Sequence, residues 1–365
     1  MMKASKNCPT QRWLPLIALL LPWVTTNAEA LTAPESTLRI EDLRCEYLRN
    51  PPAIDVPRPR LSWVLDSRQR GQKQTAYRVL VATDPKLLSQ GQGDLWDSGI
   101  VESDQTTQLA YAGRPLASRM QCIWKVQVWD KDGKASAWSQ PAAWQMGLLR
   151  PEDWRAKWMR FPEGPADDKE TPAGAPSPWL RKTFVLEDDP TQATAYVNVM
   201  GYYELYVNGQ KVGNDVLSPA VSDYRSRSFY VTYDIAPLLR KGRNCVGLWL
   251  GRGWRVMHTP SVETAEPVVR FQAEIVAGDK DVRIVSDETW KCAPSSYTTL
   301  GRWYYDQYGG ERYDARLDNP AWSSADYDDG GWAGVKIVSQ PGSRARSQLC
   351  SPNRIGQRIS MTACR

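Results

Sequence analysis

Glu204-Leu205-Tyr206-Val207-Asn208-Gly209-Gln210-Lys211-Val212 is the run whose reading decides the fold. A type I′ turn needs positive φ at both central positions, and Asn-Gly adopts it at little cost, so the stretch reads as a β-hairpin. The same texture extends on both sides. Trp179–Leu186 and Ala195–Met200 precede it as strands; Ser228–Tyr233, Asn244–Leu250, Val268–Val276 and Asp281–Ile284 follow, before a Trp-rich close. Ile235–Arg240, opened by Asp234 and stopped by Gly242, carries the signals of a short helical turn. About eight strands over roughly 180 residues predict a jelly-roll (galactose-binding-like) β-sandwich at 150–340, with Gly164–Pro178 as a loop inside it.

Upstream, Thr75–Ala82 and Ile123–Trp129 alternate as half-buried strands. Asp130-Lys131-Asp132-Gly133 and Asp97-Ser98-Gly99 punctuate them as turns. This spacing predicts an immunoglobulin or fibronectin-III-like sandwich at 31–149. The expected fold class is therefore all-β, two sandwiches in series. Residues 341–365, rich in Arg and without an acidic residue, show no hydrophobic alternation and read as an irregular basic tail.

Lys3, Lys6 and Arg12 precede an apolar stretch from Leu14 to Val24, and Asn27-Ala28-Glu29-Ala30 then has the small-x-small order of a secretory signal cleaved after Ala30. That stretch is too short to span a bilayer, and the mature chain is expected to be secreted or periplasmic, without a membrane span. Net charge is +5 without clusters, which gives no footprint for nucleic acid. With seventeen Trp and sixteen Tyr against four Phe, the aromatic set favours rings with a polar handle, suited to a wet surface as well as to packing. Cysteine pairing is not readable from the spacing, and no CxxC pair of the kind zinc sites use is present.

His258 is the single histidine, so a multi-histidine metal site is excluded and no Gly-x-Ser-x-Gly elbow exists to partner it. Glycoside hydrolysis needs only two carboxyl groups. The acidic residues nearest aromatic rings are Asp223, Asp234, Glu311 and Asp314, and each also has a structural reading, Asp234 as a helix cap. Asp326-Tyr327-Asp328-Asp329-Gly330-Gly331-Trp332 has the oxygens to cradle Ca²⁺ but lacks EF-hand spacing, and reads equally as a turn before a buried Trp.

Pro57-Arg58-Pro59-Arg60-Leu61-Ser62-Trp63, Gln74–Val81, Leu95–Gly99 and Trp124–Trp138 resemble the fibronectin-like opening domain of bacterial α-L-rhamnosidases. Gly201–Gly209, Leu217-Ser218-Pro219, Tyr230–Asp234, Leu250–Trp254 and Gly309–Arg316 resemble that family's N-terminal jelly roll. The resemblance implies an inverting glycosidase whose acid and base lie on a C-terminal (α/α)₆ barrel, so no catalytic residue carries over to this chain. It also implies a module facing L-rhamnose-containing glycans, in part through Ca²⁺, with Asn208, Asp215, Tyr224, Trp254 and Glu311 on a sugar-facing rim. The alternative is a stand-alone lectin-like or purely structural protein. Cys350-Ser351-Pro352-Asn353-Arg354 resembles the entry into the family's next domain, after which the pattern is lost, as in a truncated or frame-shifted end.

Overall fold

The computed structural model describes residues 36–162, 176–256, 266–300, 310–357 and 359–360. The expected leader at 1–30, most of the 164–178 loop and His258 lie outside the described residues.

Strand Gln121–Asp130 shows how sequence becomes layer. Cys122, Trp124, Val126 and Val128 are buried, and the residues between them point to the other face, the two-residue period of a strand. It pairs antiparallel with Gln74–Ala82, Tyr77 opposite Val128 and Val81 opposite Trp124. Ala142–Gln145, Trp96–Asp97 and Val101–Glu102 complete this five-stranded sheet, and a three-stranded sheet of Arg39–Cys45, Arg60–Asp66 and Leu109–Ala110 accompanies it. Trp63, Trp124 and Trp144 fill the core. Trp63 donates its indole N–H to Gln74 Oε1 at 3.1 Å, which accounts for a glutamine in that interior.

In the second sandwich, one sheet runs in the order Gln210–Lys211, Tyr202–Val207, Gly242–Gly251, Trp179–Leu186, Lys291–Ala293, Ala333–Gly334. The other runs Lys336–Val338, Trp158–Arg160, Val268–Ala277, Pro190–Met200, Arg227–Asp234, Arg344–Ser347, with Lys280–Val285 beside Val268–Ala277. Val197, Val199, Leu205, Val246, Leu248 and Phe271 share the apolar interior. The Trp-rich close covers the outer face of the first of these sheets: Trp179 stacks on Trp322 (5.4 Å, 8°) and on Trp332 (6.4 Å, 12°). Gly247 is required beneath this cap, because a Cβ there would come within 2.6 Å of the Trp322 ring. The aromatic richness is thus spent largely on packing.

The Asn208-Gly209 turn forms as expected, with φ of 50° and 84°. The turn after Asp234 is a single 3₁₀ turn, Ala236–Leu238, whose Ala236 N–H donates to Asp234 Oδ1 at 3.0 Å. A second helical piece, Pro85–Ser89, was not among the expected elements; Asp84 caps it through Lys86 N–H at 2.7 Å, with Pro in its first turn.

The expected irregular tail needs correcting. Arg344–Ser347 adds to a sheet edge, parallel to Arg227–Tyr230. Ser347 N–H donates to Asp55 Oδ2 at 2.8 Å and its hydroxyl to the Ala53 carbonyl at 2.9 Å, while Asn353–Arg354 pairs with Asp215–Val216. Edge addition draws on backbone groups rather than apolar alternation, so a polar segment suffices. Among the described residues, Cys45, Cys122, Cys245 and Cys350 are free thiols. No helix among the described residues is long and apolar enough to cross a membrane.

Candidate functional site

The two sandwiches meet on the outer face of the sheet that contains Pro190–Met200 and Arg227–Asp234. The Tyr230 hydroxyl accepts the Leu148 N–H at 3.1 Å, and a Cβ on Gly147 would lie 2.2 Å from that oxygen. Ala53, Leu148 and Tyr196 complete the buried patch, with Trp154 edge-on to both tyrosines. Burial pushes the Tyr230 phenol far above its ordinary range, so it remains a neutral hydroxyl. Arg119 reaches from the first sandwich to Glu274 and Asp153, and Gln272 is held by the Asp153 carbonyl (3.0 Å) and Arg155 N–H (2.7 Å).

Beside this patch lies a cavity of about 700 Å³. Arg44, Tyr47 and Arg49 wall one side; Asn214, Asp215 and Tyr233 wall the other. The loop after Cys45 holds Glu46 and Tyr47 at φ of 48° and 69°, costly for residues with a Cβ. Arg60 fixes it, giving Glu46 a backbone N–H (2.7 Å) and a guanidinium N–H (2.5 Å). Hydrogen bonds from Arg44 and Arg49 hold the Asp42 carboxyl well below the usual range. Asp215 Oδ1 accepts from Arg354 Nε at 3.1 Å. Burial, with the Asp215 charge adding to it, pushes the Tyr233 phenol up to about 12, and its hydroxyl pairs with that of Tyr203 at 2.8 Å. Rings and convergent polar groups around a concave space suit a hydroxyl-rich ligand.

The five rim residues are not brought together. Only Asp215 lines this cavity. Asn208 is turned inward: its amide donates to Leu238 O and Asn244 Oδ1, each at 2.8 Å, and its oxygen accepts Cys245 N–H at 2.8 Å, a role in the turn rather than at a ligand. The Tyr224 hydroxyl accepts Gly201 N–H at 3.2 Å while the ring packs against Trp158, Met200 and Val268. Trp254 belongs to the 3₁₀ turn Gly253–Val256, its side chain outside the described residues. Glu311 sits exposed on a separate hairpin, opposite Thr299. Tyr47, Arg44 and Arg49 were not singled out from sequence, where nothing but a basic-aromatic loop marks them.

The other acidic candidates hold local structure. Asp223 accepts from Arg225 N (3.1 Å) and Nε (3.2 Å), and Asp314 Oδ1 caps the turn Ala315–Leu317 through Arg316 N–H at 3.1 Å. In the Asp326–Trp332 loop, Asp329 is ion-paired with Arg181 and Lys291, and Asp328 Oδ1 accepts Gly330 N–H at 2.9 Å. Asp329 is thus committed to two cations rather than free for Ca²⁺. Among the described residues, no group of three or more His, Cys, Asp or Glu is placed to hold a metal.

Two domain families match the two sandwiches: the immunoglobulin domain of Rha78A-like N-termini over residues 40–150, and the α-L-rhamnosidase N-terminal domain over residues 188–357. The chain carries the N-terminal domains of the α-L-rhamnosidase family. An α-L-rhamnosidase of Formosa agariphila is 34% identical over 300 residues, covering 80% of this chain and 32% of that protein; one of Alteromonas sp. is 32% identical over 316 residues, covering 84% and 34%. The chain thus spans about a third of the length of these curated relatives. The α-L-rhamnosidase structure from Dictyoglumus thermophilum superposes with a TM-score of 0.78 at 32% identity, covering 87% of this chain and 36% of that one. That of Streptomyces avermitilis, in complex with L-rhamnose, gives 0.77 at 24% identity, covering 88% and 47%, and speaks to fold alone. The family match running to residue 357 agrees with the pairing of Arg344–Ser347 and Asn353–Arg354 in the second sandwich.

Proposed function

We propose that this chain is the non-catalytic, carbohydrate-facing part of an exported α-L-rhamnosidase, holding L-rhamnose-containing glycans while a separate domain cleaves them. The observation that carries the reading is the cavity of about 700 Å³ walled by Tyr47, Arg44, Arg49, Asn214, Asp215 and Tyr233. It joins both matched domains; of the acidic candidates, Asp223, Asp234 and Asp314 hold local turns, and Glu311 lies exposed on a separate hairpin. Export rests on the leader-like residues 1–30. Calorimetric titration of L-rhamnose into the whole chain tests it, with a parallel run in EDTA to decide any dependence on Ca²⁺. Saturable binding weakened by Tyr47→Ala and Asp215→Asn supports the site; heats equal to dilution refute it.

A second role rests on a different observation. Leu217, Val221 and Ile355 stay about half exposed or more around the Asp215–Val216 and Asn353–Arg354 pairing, an apolar rim suited to packing against a neighbouring domain. Replacing Leu217 and Ile355 with Ser should raise the solubility of the isolated chain and leave rhamnose binding unchanged.

A further inference from the structure

Strand Val268–Ala277 turns Val269, Phe271, Ala273 and Ile275 into the core, so Arg270, Gln272 and Glu274 form a polar row on its opposite face. The first sandwich covers that row. Glu274 meets Arg119 and Arg283, and Gln272 meets Asp153 and Arg155. Arg270 is the exception. It is 6% exposed, its Nε donates to Asn198 Oδ1 at 3.2 Å, and its guanidinium lies 3.9 Å from the Trp154 ring centre and 5.0 Å from that of Trp158. Among the described residues its two terminal amino groups have no acceptor and its charge has no carboxylate partner.

That guanidinium forms part of the wall of a cavity of about 490 Å³, which Arg150, Arg344, Arg346, Trp154 and Asp55 also line. Four arginines thus face a single aspartate. Asp55 is already committed, accepting Ser347 N–H at 2.8 Å and standing 4.0 Å from Arg346 Nη1, and burial pushes its carboxyl upward. A buried arginine stays charged at neutral pH and is costly without a counter-ion. Its planar fork matches the two oxygens of a carboxylate or sulfate group, and the cavity exceeds what a bare ion needs.

We infer that this junction cavity binds the oxyanion group, carboxylate or sulfate ester, of an acidic saccharide, with Arg270 as the buried anchor and Arg150, Arg344 and Arg346 as the outer cations. This extends the carbohydrate-facing reading to a second, charge-selective subsite, and in its saccharide part it rests on that reading.

The test is calorimetric titration of the whole chain with glucuronate, a sulfated monosaccharide, inorganic sulfate and L-rhamnose, at low and high salt. Glucuronate or the sulfated sugar should bind at least about tenfold more tightly than inorganic sulfate. Arg270→Gln should weaken it by about tenfold or more, the loss of a charge-assisted pair, and Arg344→Gln, at the exposed rim, by a few-fold. Ligand-induced rise of the melting temperature, present in the parent and absent in Arg270→Gln, separates lost binding from lost folding. Equal affinity for inorganic sulfate overturns the saccharide assignment, and sugar-acid binding unchanged in Arg270→Gln overturns the site. Failure of L-rhamnose alone counts against the proposed function and leaves this cavity standing.

Discussion

Arg181 and Arg270 are both buried on outward faces of the second sandwich, one on each sheet, and the difference that matters between them is a counter-charge. Arg181 lies under the tryptophan cap, ion-paired to Asp329, donating to the Ser324 carbonyl at 2.7 Å and facing the Tyr327 and Trp332 rings at 5.3 and 5.9 Å. Arg270 has the rings and no carboxylate. The cap grows from the same domain as its sheet and brings its own counter-charge. The junction is closed by a different domain and leaves a cation facing a cavity. A covered face complete in itself is structural; one that lacks a charge is where a ligand is expected.

The largest effect should come from the complete face. Asp329→Asn strands a buried guanidinium and is expected to cost about 3–5 kcal/mol in urea unfolding. At the junction, Tyr230→Phe leaves Leu148 N–H buried without its acceptor and should cost about 1–3 kcal/mol by the same measurement. Arg270→Gln should stay within about 1 kcal/mol of the parent or exceed it, because it removes a buried charge, strands no carboxylate, and leaves Asn198 Oδ1 the Ser228 hydroxyl at 3.3 Å. A loss as large as that of Asp329→Asn would erase the contrast between the two faces.

Acid should weaken the complete face. Burial pushes the Asp329 carboxyl up, but Lys291 and Arg181 outweigh it and leave the group below its ordinary value. A carboxyl depressed in the folded state stabilises above the unfolded value, near 3.9, and loses that contribution as pH falls through the folded value. The urea midpoint is therefore expected to hold between about pH 5 and 7 and to fall below about pH 4, with a shallower fall in Asp329→Asn.

Much of the fold was legible because its signals are local. Asn208-Gly209 specifies its turn chemically, and Cys122 to Val128 alternate in the sequence as they do in the sheet. Arg344–Ser347 was not legible, since its strand character comes from an edge offered more than a hundred residues earlier in the chain, at Arg227–Tyr230. The candidate site was less legible still. Of the rim side chains described, Asp215 alone lines the cavity walled by Tyr47 and Tyr233, because Asn208 and Tyr224 use their polar atoms on nearby groups of the fold. Arg270, Gln272 and Glu274 do alternate visibly with apolar neighbours, but such a row reads as a solvent face; that a second domain covers it is a tertiary fact.

The central proposal is that these two sandwiches hold sugar and do not cleave it. It is tested most directly by incubating the purified whole chain with a chromogenic aryl α-L-rhamnoside and following aglycone release. The account predicts release no faster than in buffer; enzyme-dependent, saturable release would contradict it.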